Sequence, residues 1–330
     1  MKKAIIPLLI ALGLLTSCEK QIDIDVEDLQ PKLVVNALGS TDSALTVAIT
    51  ESRPIFGFHS SDDGFPGVTD ATVSLTVNGN TAYSANRDSN RYSLAYIPQA
   101  GDHLSLTVNR PGHTSATATA VVPNAPAVGT IAPPETTTST TFSIPLSDPA
   151  TTADYYYITM RRDDTVFYTY VDADNNIALI DTQFQSNQWL ECHDQLVVSE
   201  VDVLGLIDEM GVPTYYGDML LFSDERFNGQ QHNIQISIPF YDYYDYNYYN
   251  YYQGLTLSNT VTHCTYHIEV ASISHDTYLY LKSYQTLLNS DDIMGFLSEP
   301  VPLLSNFDGA IGLLGIANKR TFTYHHTFEQ

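Results

Sequence analysis

The chain has 330 residues and carries 38 Asp and Glu against 14 Lys and Arg, a formal net charge of −24. That balance repels nucleic acid and leaves no polybasic footprint for anionic lipid. With 43% hydrophobic residues the chain is long enough to bury two independent cores.

Residues 1–17 read as a signal peptide. Lys2 and Lys3 form a positive n-region, and Ala4 to Leu15 an apolar stretch too short to span a bilayer as a helix. Leu15-Thr16-Ser17-Cys18 then resembles a bacterial lipobox, with an aliphatic residue three places before the cysteine and a small one directly before it. The Cys18 thiol is the group that accepts diacylglycerol, and acyl chains at about 0.8 kcal/mol per buried CH₂ make a durable membrane anchor. Residues 18–31 form an acidic tether, poor in large apolar side chains. Once Lys2 and Lys3 are removed, 12 basic residues face 38 acidic ones, a charge near −26.

From residue 32 onward, strand signals dominate. Lys32-Leu-Val-Val-Asn-Ala, Leu45-Thr-Val-Ala-Ile-Thr, Ala71-Thr-Val-Ser-Leu-Thr-Val and Leu104-Ser-Leu-Thr-Val alternate apolar and polar residues with a period of two. Asn78-Gly79-Asn80, Ala100-Gly101-Asp102 and Arg110-Pro111-Gly112 are turns between them. This pattern predicts an immunoglobulin-like β-sandwich over 32–125. Residues 126–330 predict a second β-rich domain. Its strands begin at Thr141–Leu146, Asp154–Met160 and Val166–Val171, the last pairing with Ile177–Ile180. Asp172, Asp174 and Asn176 alternate at that hairpin tip, but Ile177 and Gln183 stand where an EF-hand loop needs Gly and Glu, so the tip reads as a polar turn. One or two short helices complete the domain. One lies near 275–289, capped by Ser274 with Tyr278, Leu281, Gln285 and Leu288 along one stripe, and another lies at 201–210. Ala310–Ala317 and Thr321–His325 are the final strands. The fold class is therefore mainly β, with two immunoglobulin- or fibronectin-like sandwiches.

Residues 241–252 read YDYYDYNYYNYY. An extended form would put Tyr241, Tyr243, Tyr249 and Tyr251 on one face and Tyr244, Tyr246, Tyr248 and Tyr252 on the other. Asp and Asn spacers favour bends over a buried strand, so a partly exposed loop at 240–253 is expected. Tyr, Asn and Asp make rigid, adaptable contact surfaces suited to a protein, peptide or glycan. Low complexity without function is the alternative.

Chemistry is sparse. No nucleophile elbow, His-Glu-x-x-His or phosphate-cradling glycine loop is present, so no catalytic residue is assigned. His263 and His267 share a strand face, and Cys192-His193 could join them around a metal. The set has no recognised ligand spacing, and neither a metal nor a cofactor is assigned. With Cys18 lipidated, Cys192 and Cys264 form an even pair in an oxidising compartment, and a disulfide between them is expected. Closing that loop of roughly 70 residues would remove about 4 kcal/mol of unfolded-chain entropy. Asp224, Glu225 and Arg226, at a strand end before Asn228-Gly229, read as structural rather than as acid–base machinery.

Several segments occur in a familiar order. They are Lys32–Ala37 soon after the lipobox, Val68–Leu75, Pro98–Val108, Leu221–Gln230, Ser274–Tyr284 and Ser298–Gly312. Together they resemble the Bacteroidota lipoprotein family catalogued as domain of unknown function 4249. The resemblance runs from the lipobox almost to the C-terminus. The family has no established catalytic residues, so none is carried over. What it implies is an outer-membrane lipoprotein exposed at the cell surface, often encoded beside a TonB-dependent transporter and accessory to nutrient uptake. The tyrosine run lies outside the family pattern. The function expected on this basis is a non-enzymatic partner of a TonB-dependent uptake system that binds the transporter, a ligand or both. A structural or adhesive surface protein with no transport role is the alternative.

Overall fold

The computed structural model describes residues 31–53, 65, 67–88, 91–132, 141–171, 174, 177–198, 214–238, 256–294 and 303–329. The N-terminal half holds β1 (Leu33–Ser40), β2 (Thr46–Glu51), β3 (Thr72–Val77), β4 (Thr81–Ser84), β5 (Asn86–Asp88), β6 (Arg91–Ser93), β7 (His103–Asn109) and β8 (Ala116–Val121). Next come β9 (Ala127–Val128), β10 (Thr141–Ser147), β11 (Tyr155–Val171), β12 (Ile177–Asn187), β13 (Leu190–Cys192) and β14 (Tyr215–Gly217). The chain closes with β15 (Met219–Ser223), β16 (Gln231–Ser237), β17 (Thr256–Ile273), helix α1 (His275–Met294) and β18 (Ile311–Glu329). The chain is thus mainly β. Among the described residues no helix is long and apolar enough to cross a membrane.

One nine-stranded sheet runs through both halves in the order β12-β11-β17-β18-β1-β2-β6-β5, with β15 also on β11. Two smaller sheets, β4-β3-β7-β8 and β14-β13-β16-β10-β9, complete the layers. Alternation decides what is buried: β3 and β7 turn every second residue inward, as a period of two requires. One core holds Val35, Val47, Leu75, Leu106 and Val108, and the other Phe142, Ile144, Ile158, Phe222 and Ile268.

The halves are not self-contained at residue 125. Lys32–Glu51 and Phe65–Gln330 cluster as one compact unit; the other unit, Met1–Pro31 with Ser52–Gly64, falls almost entirely outside the described residues. The link is β18, which pairs parallel to β1 and antiparallel to β17. Leu314 and Ile316 of this strand, with Phe307 just before it, enter the N-terminal core. Gly312, at φ 128°, allows the closest approach, since a Cβ there would lie 2.0 Å from the Val35 carbonyl oxygen.

Three strands are longer than the sequence pattern predicts. β11, β17 and β18 run 17, 18 and 19 residues, whereas the sequence suggests breaks at 161–165 and 318–320. The charged stretch Arg161-Arg162-Asp163-Asp164 stays in the ladder because each arginine reaches the aspartate two places on, on its own face. Arg161 donates to Asp163 at 3.0 Å and Arg162 to Asp164 at 2.7 Å. Likewise Asn318 donates to the Pro123 carbonyl and Arg320 to the Val128 carbonyl, both at 2.9 Å.

The helix starts where expected. Ser274 Oγ accepts the Thr277 N–H at 3.3 Å, but the helix continues to Met294, and Leu288 of the expected stripe is exposed. Gln285 donates to the Met219 carbonyl at 2.8 Å, and Tyr278 packs its ring 4.9 Å from that of Tyr155. The expected helix at 201–210 lies outside the described residues, as does the hairpin tip except for Asp174.

Candidate functional site

Cys18 and all eight tyrosines of 241–252 lie outside the described residues. Cys192 and Cys264 are described, and they correct the expected disulfide: both are free, buried thiols. They belong to the same core but to different sheets, Cys192 on β13 and Cys264 on β17. Facing sheets stack about 10 Å apart, whereas a disulfide needs Cα atoms within about 7 Å. Cys264 instead sits beside Asp164, its partner in the β11–β17 register. Burial pushes the Cys264 thiol up to about 12, with the Asp164 carboxylate adding to it, and the Cys192 thiol up to about 11. Such thiols are poor nucleophiles. Nor do Cys192-His193 and His263/His267 meet. His193 is held by Glu191 and Thr214, while His263 and His267 face outward on the nine-stranded sheet.

The segment Leu221–Gln230 folds into a knot. Carboxylate oxygens of Asp148, Asp154 and Asp224 lie within 4.8 Å of one another, the one such trio among the described residues. Tyr156 and the Gly229 N–H donate to Asp148 at 2.7 and 2.9 Å, Thr152 to Asp154 at 2.6 Å, and Asn228 to Asp224 at 2.8 Å. Gly229, at φ 73°, passes so close to Ala150 that a Cβ would sit 2.6 Å away. Burial raises the Asp224 carboxyl, and the neighbouring Asp148 and Asp154 charges raise it further. The trio can take a cation, or a proton on Asp224, but its donors come from the loops that it ties together. Arg226 donates to the Gln195 carbonyl. This stretch holds the fold.

The Pro98–Val108 segment and the described part of the last one, residues 303–312, act in the same way. Asp102 accepts from Tyr96 and from Asn78 at 2.8 Å, which fixes the β6–β7 corner. Asn306 donates to and accepts from the Leu314 backbone, at 2.9 Å each way.

The outward face of β12-β11-β17-β18 differs from all of these. Register places Asp163, Thr265 and His325 in one cross-strand row, flanked by the rows Arg161–His267–Thr323 and Thr165–His263–Thr327. Each imidazole rests on a threonine of the neighbouring strand: Nδ1 of His263, His325 and His267 lies 2.9, 3.1 and 3.4 Å from the hydroxyls of Thr327, Thr265 and Thr323. His267 Nε2 is 3.0 Å from Asp163, which also accepts from Gln185 at 3.0 Å. Alongside lies a cavity of about 440 Å³, lined by Arg161, Asp218, His267, Glu269 and Lys319 among others. That volume suits a small ligand. Its charges are mutually paired: Lys319 meets Glu269 at 2.9 Å, and Tyr157 donates to Glu269 at 2.8 Å. Thr323–His267–Asp163 has the composition of a hydroxyl–imidazole–carboxylate relay, but the hydroxyl is secondary and 3.4 Å away. The arrangement orients the imidazole between the two neighbouring strands. Sequence reasoning found His263 and His267 on one face but missed His325, because the register between β17 and β18 is a long-range feature that no local pattern records.

The family model described as domain of unknown function DUF4249 matches residues 19–323. No curated protein matches. Among solved structures, a two-domain fibronectin type-III segment from chicken tenascin is 11% identical, covers 73% of this chain and 90% of its own, and has a TM-score of 0.17. A DUF4785 family protein from Legionella pneumophila is 12% identical, with 70% and 50% covered and a TM-score of 0.17.

Proposed function

The chain belongs to the DUF4249 family, and on that premise we propose that it is a non-enzymatic lipoprotein anchored at Cys18 in the outer membrane and exposed at the cell surface. It serves a TonB-dependent nutrient uptake system as an accessory that binds the transporter, its ligand or both. The ligand is a peptide, a glycan or another small nutrient. The observation that carries the binding role is the outward face of β12-β11-β17-β18, which is open, polar around Asp163 and His267, apolar at Phe167, Ile177 and Leu179, and bordered by the 440 Å³ cavity. Supporting it, the tyrosine run ends four residues before Thr256, which pairs with Val171 at the tip of the same strands. The anchoring rests on the Leu15–Cys18 register and the acidic tether that leads into β1.

The test is an affinity pull-down of the lipidated protein from solubilised outer membrane. Co-purification of a TonB-dependent transporter supports the proposal, and its absence counts against it. Alkyne fatty acid should label the wild type and leave Cys18→Ser unlabelled; equal labelling of both would refute the anchor. Ile177 and Leu179, 69% and 75% exposed on the edge strand β12, favour the alternative of an adhesive surface protein. Capture of surface material without a transporter would select that reading.

A further inference from the structure

The N-terminal sandwich carries an uncharged face on a strongly acidic chain. On β3, β7 and β8 the buried residues alternate with positions that point outward. Those outward positions are Ser, Thr, Asn, His or Val, with no Asp, Glu, Lys or Arg among them. Register lines the hydroxyls up: Thr76, Ser105 and Thr119 form one cross-strand row, and Ser74, Thr107 and Thr117 the next. Strand geometry spaces such groups about 5 Å apart across the sheet and about 7 Å apart along it.

A cavity of about 590 Å³ lies over the first of these rows. Thr76, Ser105 and Thr119 line it from the sheet with His103, and the first turn of α1 closes the other side with His275 and Asp276. The His275 ring is seated against Tyr155, centroids 5.0 Å apart, which holds that wall in place. On the outward face of β12-β11-β17-β18 the hydroxyls of Thr265, Thr323 and Thr327 are taken up by imidazoles. Here no side chain among the described residues engages the hydroxyl of Thr76, Ser105 or Thr119. Hydroxyls both donate and accept, so a row of them matches a ligand whose own groups do both. An anion would find no Lys or Arg in this lining and would face Asp276. An apolar ligand would bury the hydroxyls unpaired, at a cost.

We propose that this cavity binds a neutral, hydroxyl-rich ligand, an oligosaccharide. Thr76, Ser105 and Thr119 exchange hydrogen bonds with sugar hydroxyls, and the Asp276 carboxylate accepts the stronger, charge-assisted ones. The His103 and His275 rings flank the sugar. The volume falls within the range of small-ligand sites, and the row of Ser74, Thr107 and Thr117 extends the surface for a longer chain. The site uses no residue of the β12-β11-β17-β18 face and needs no transporter partner.

The test probes the lipid-free mature chain on an array of neutral and anionic oligosaccharides, then titrates the strongest neutral binder by calorimetry. At least one neutral oligosaccharide should bind saturably. Asp276→Ala, which removes an exposed carboxylate from the helix start, should weaken that binding at least about tenfold. Thr119→Val keeps the shape without the hydroxyl and should weaken it at least about twofold. Thr72→Val, at the other end of β3 and outside the cavity, should bind like wild type. Circular dichroism should show every variant folded. Binding of no neutral oligosaccharide, or of anionic ones alone, would overturn the proposal. So would undiminished binding by a folded Ser105→Ala/Thr119→Val/Asp276→Ala variant, which would place the sugar elsewhere, with the outward face of β12-β11-β17-β18 the first place to look.

Discussion

The two faces of β12-β11-β17-β18 are built from alternate residues of the same strands and have opposite characters. Inward, Arg162 and Asp164 are an ion pair with side chains 13% and 1% exposed, Arg162 lies 5.6 Å from the Tyr266 ring centroid, and Tyr168 stacks on Tyr170. Outward, His263, His325, Thr323 and Thr327 are exposed; the imidazoles rest on threonine hydroxyls, and the His263 ring also lies edge-on to Phe167 at 5.4 Å. Buried polar groups are costly to disturb, whereas exposed ones are cheap to change. The inward face is thus committed to stability, and the outward face is free to carry recognition.

The strongest challenge to that contrast is Asp164→Ala. It removes the carboxylate partner of a buried guanidinium and should cost about 3–5 kcal/mol, read as a lowered urea midpoint. An unchanged midpoint would mean that the inward pair is not structural. Asn306→Ala should come next, losing two backbone-directed bonds where β18 joins the N-terminal sandwich, at about 1–3 kcal/mol.

The acidic knot gives a smaller, pH-dependent effect. The folded Asp224 carboxyl is raised above 3.8, so the folded state holds that proton more tightly than the unfolded state does. The stability this contributes is present in full below 3.8 and is lost as pH rises through the folded value. Asp224→Asn keeps a neutral group there, so it should gain on wild type as pH climbs from about 4 toward neutrality. Parallel stability profiles would show that Asp224 titrates normally. The smallest effect belongs to the outward face, where Thr265→Ala should shift stability by no more than about 0.5 kcal/mol.

Local sequence signals were enough for much of the fold. Alternation marks β2, β3 and β7 within a residue and the start of β1, which runs three residues past the expected Ala37, and Ser274 marks the start of the helix. The long strands were not legible, because Arg161–Asp164 reads as a polar break until each charge is seen to pair along its own face. Residues 303–318 could not be assigned to the N-terminal core either, since the parallel β1–β18 pairing joins chain segments 277 residues apart. Even parity suggested a Cys192–Cys264 bridge, but parity carries no distance, and the two free thiols sit on strands of different sheets. Of the outward site, two of three histidines could be placed by spacing alone.

The most direct test of the division between faces uses one variant, Arg161→Ala/His263→Ala/His325→Ala, in the lipidated protein. Its melting temperature and its recovery of the TonB-dependent transporter from solubilised outer membrane are measured together, beside wild type. An outward face devoted to recognition predicts near-wild-type melting with the transporter lost. A folded variant that still recovers the transporter at the wild-type level would contradict it.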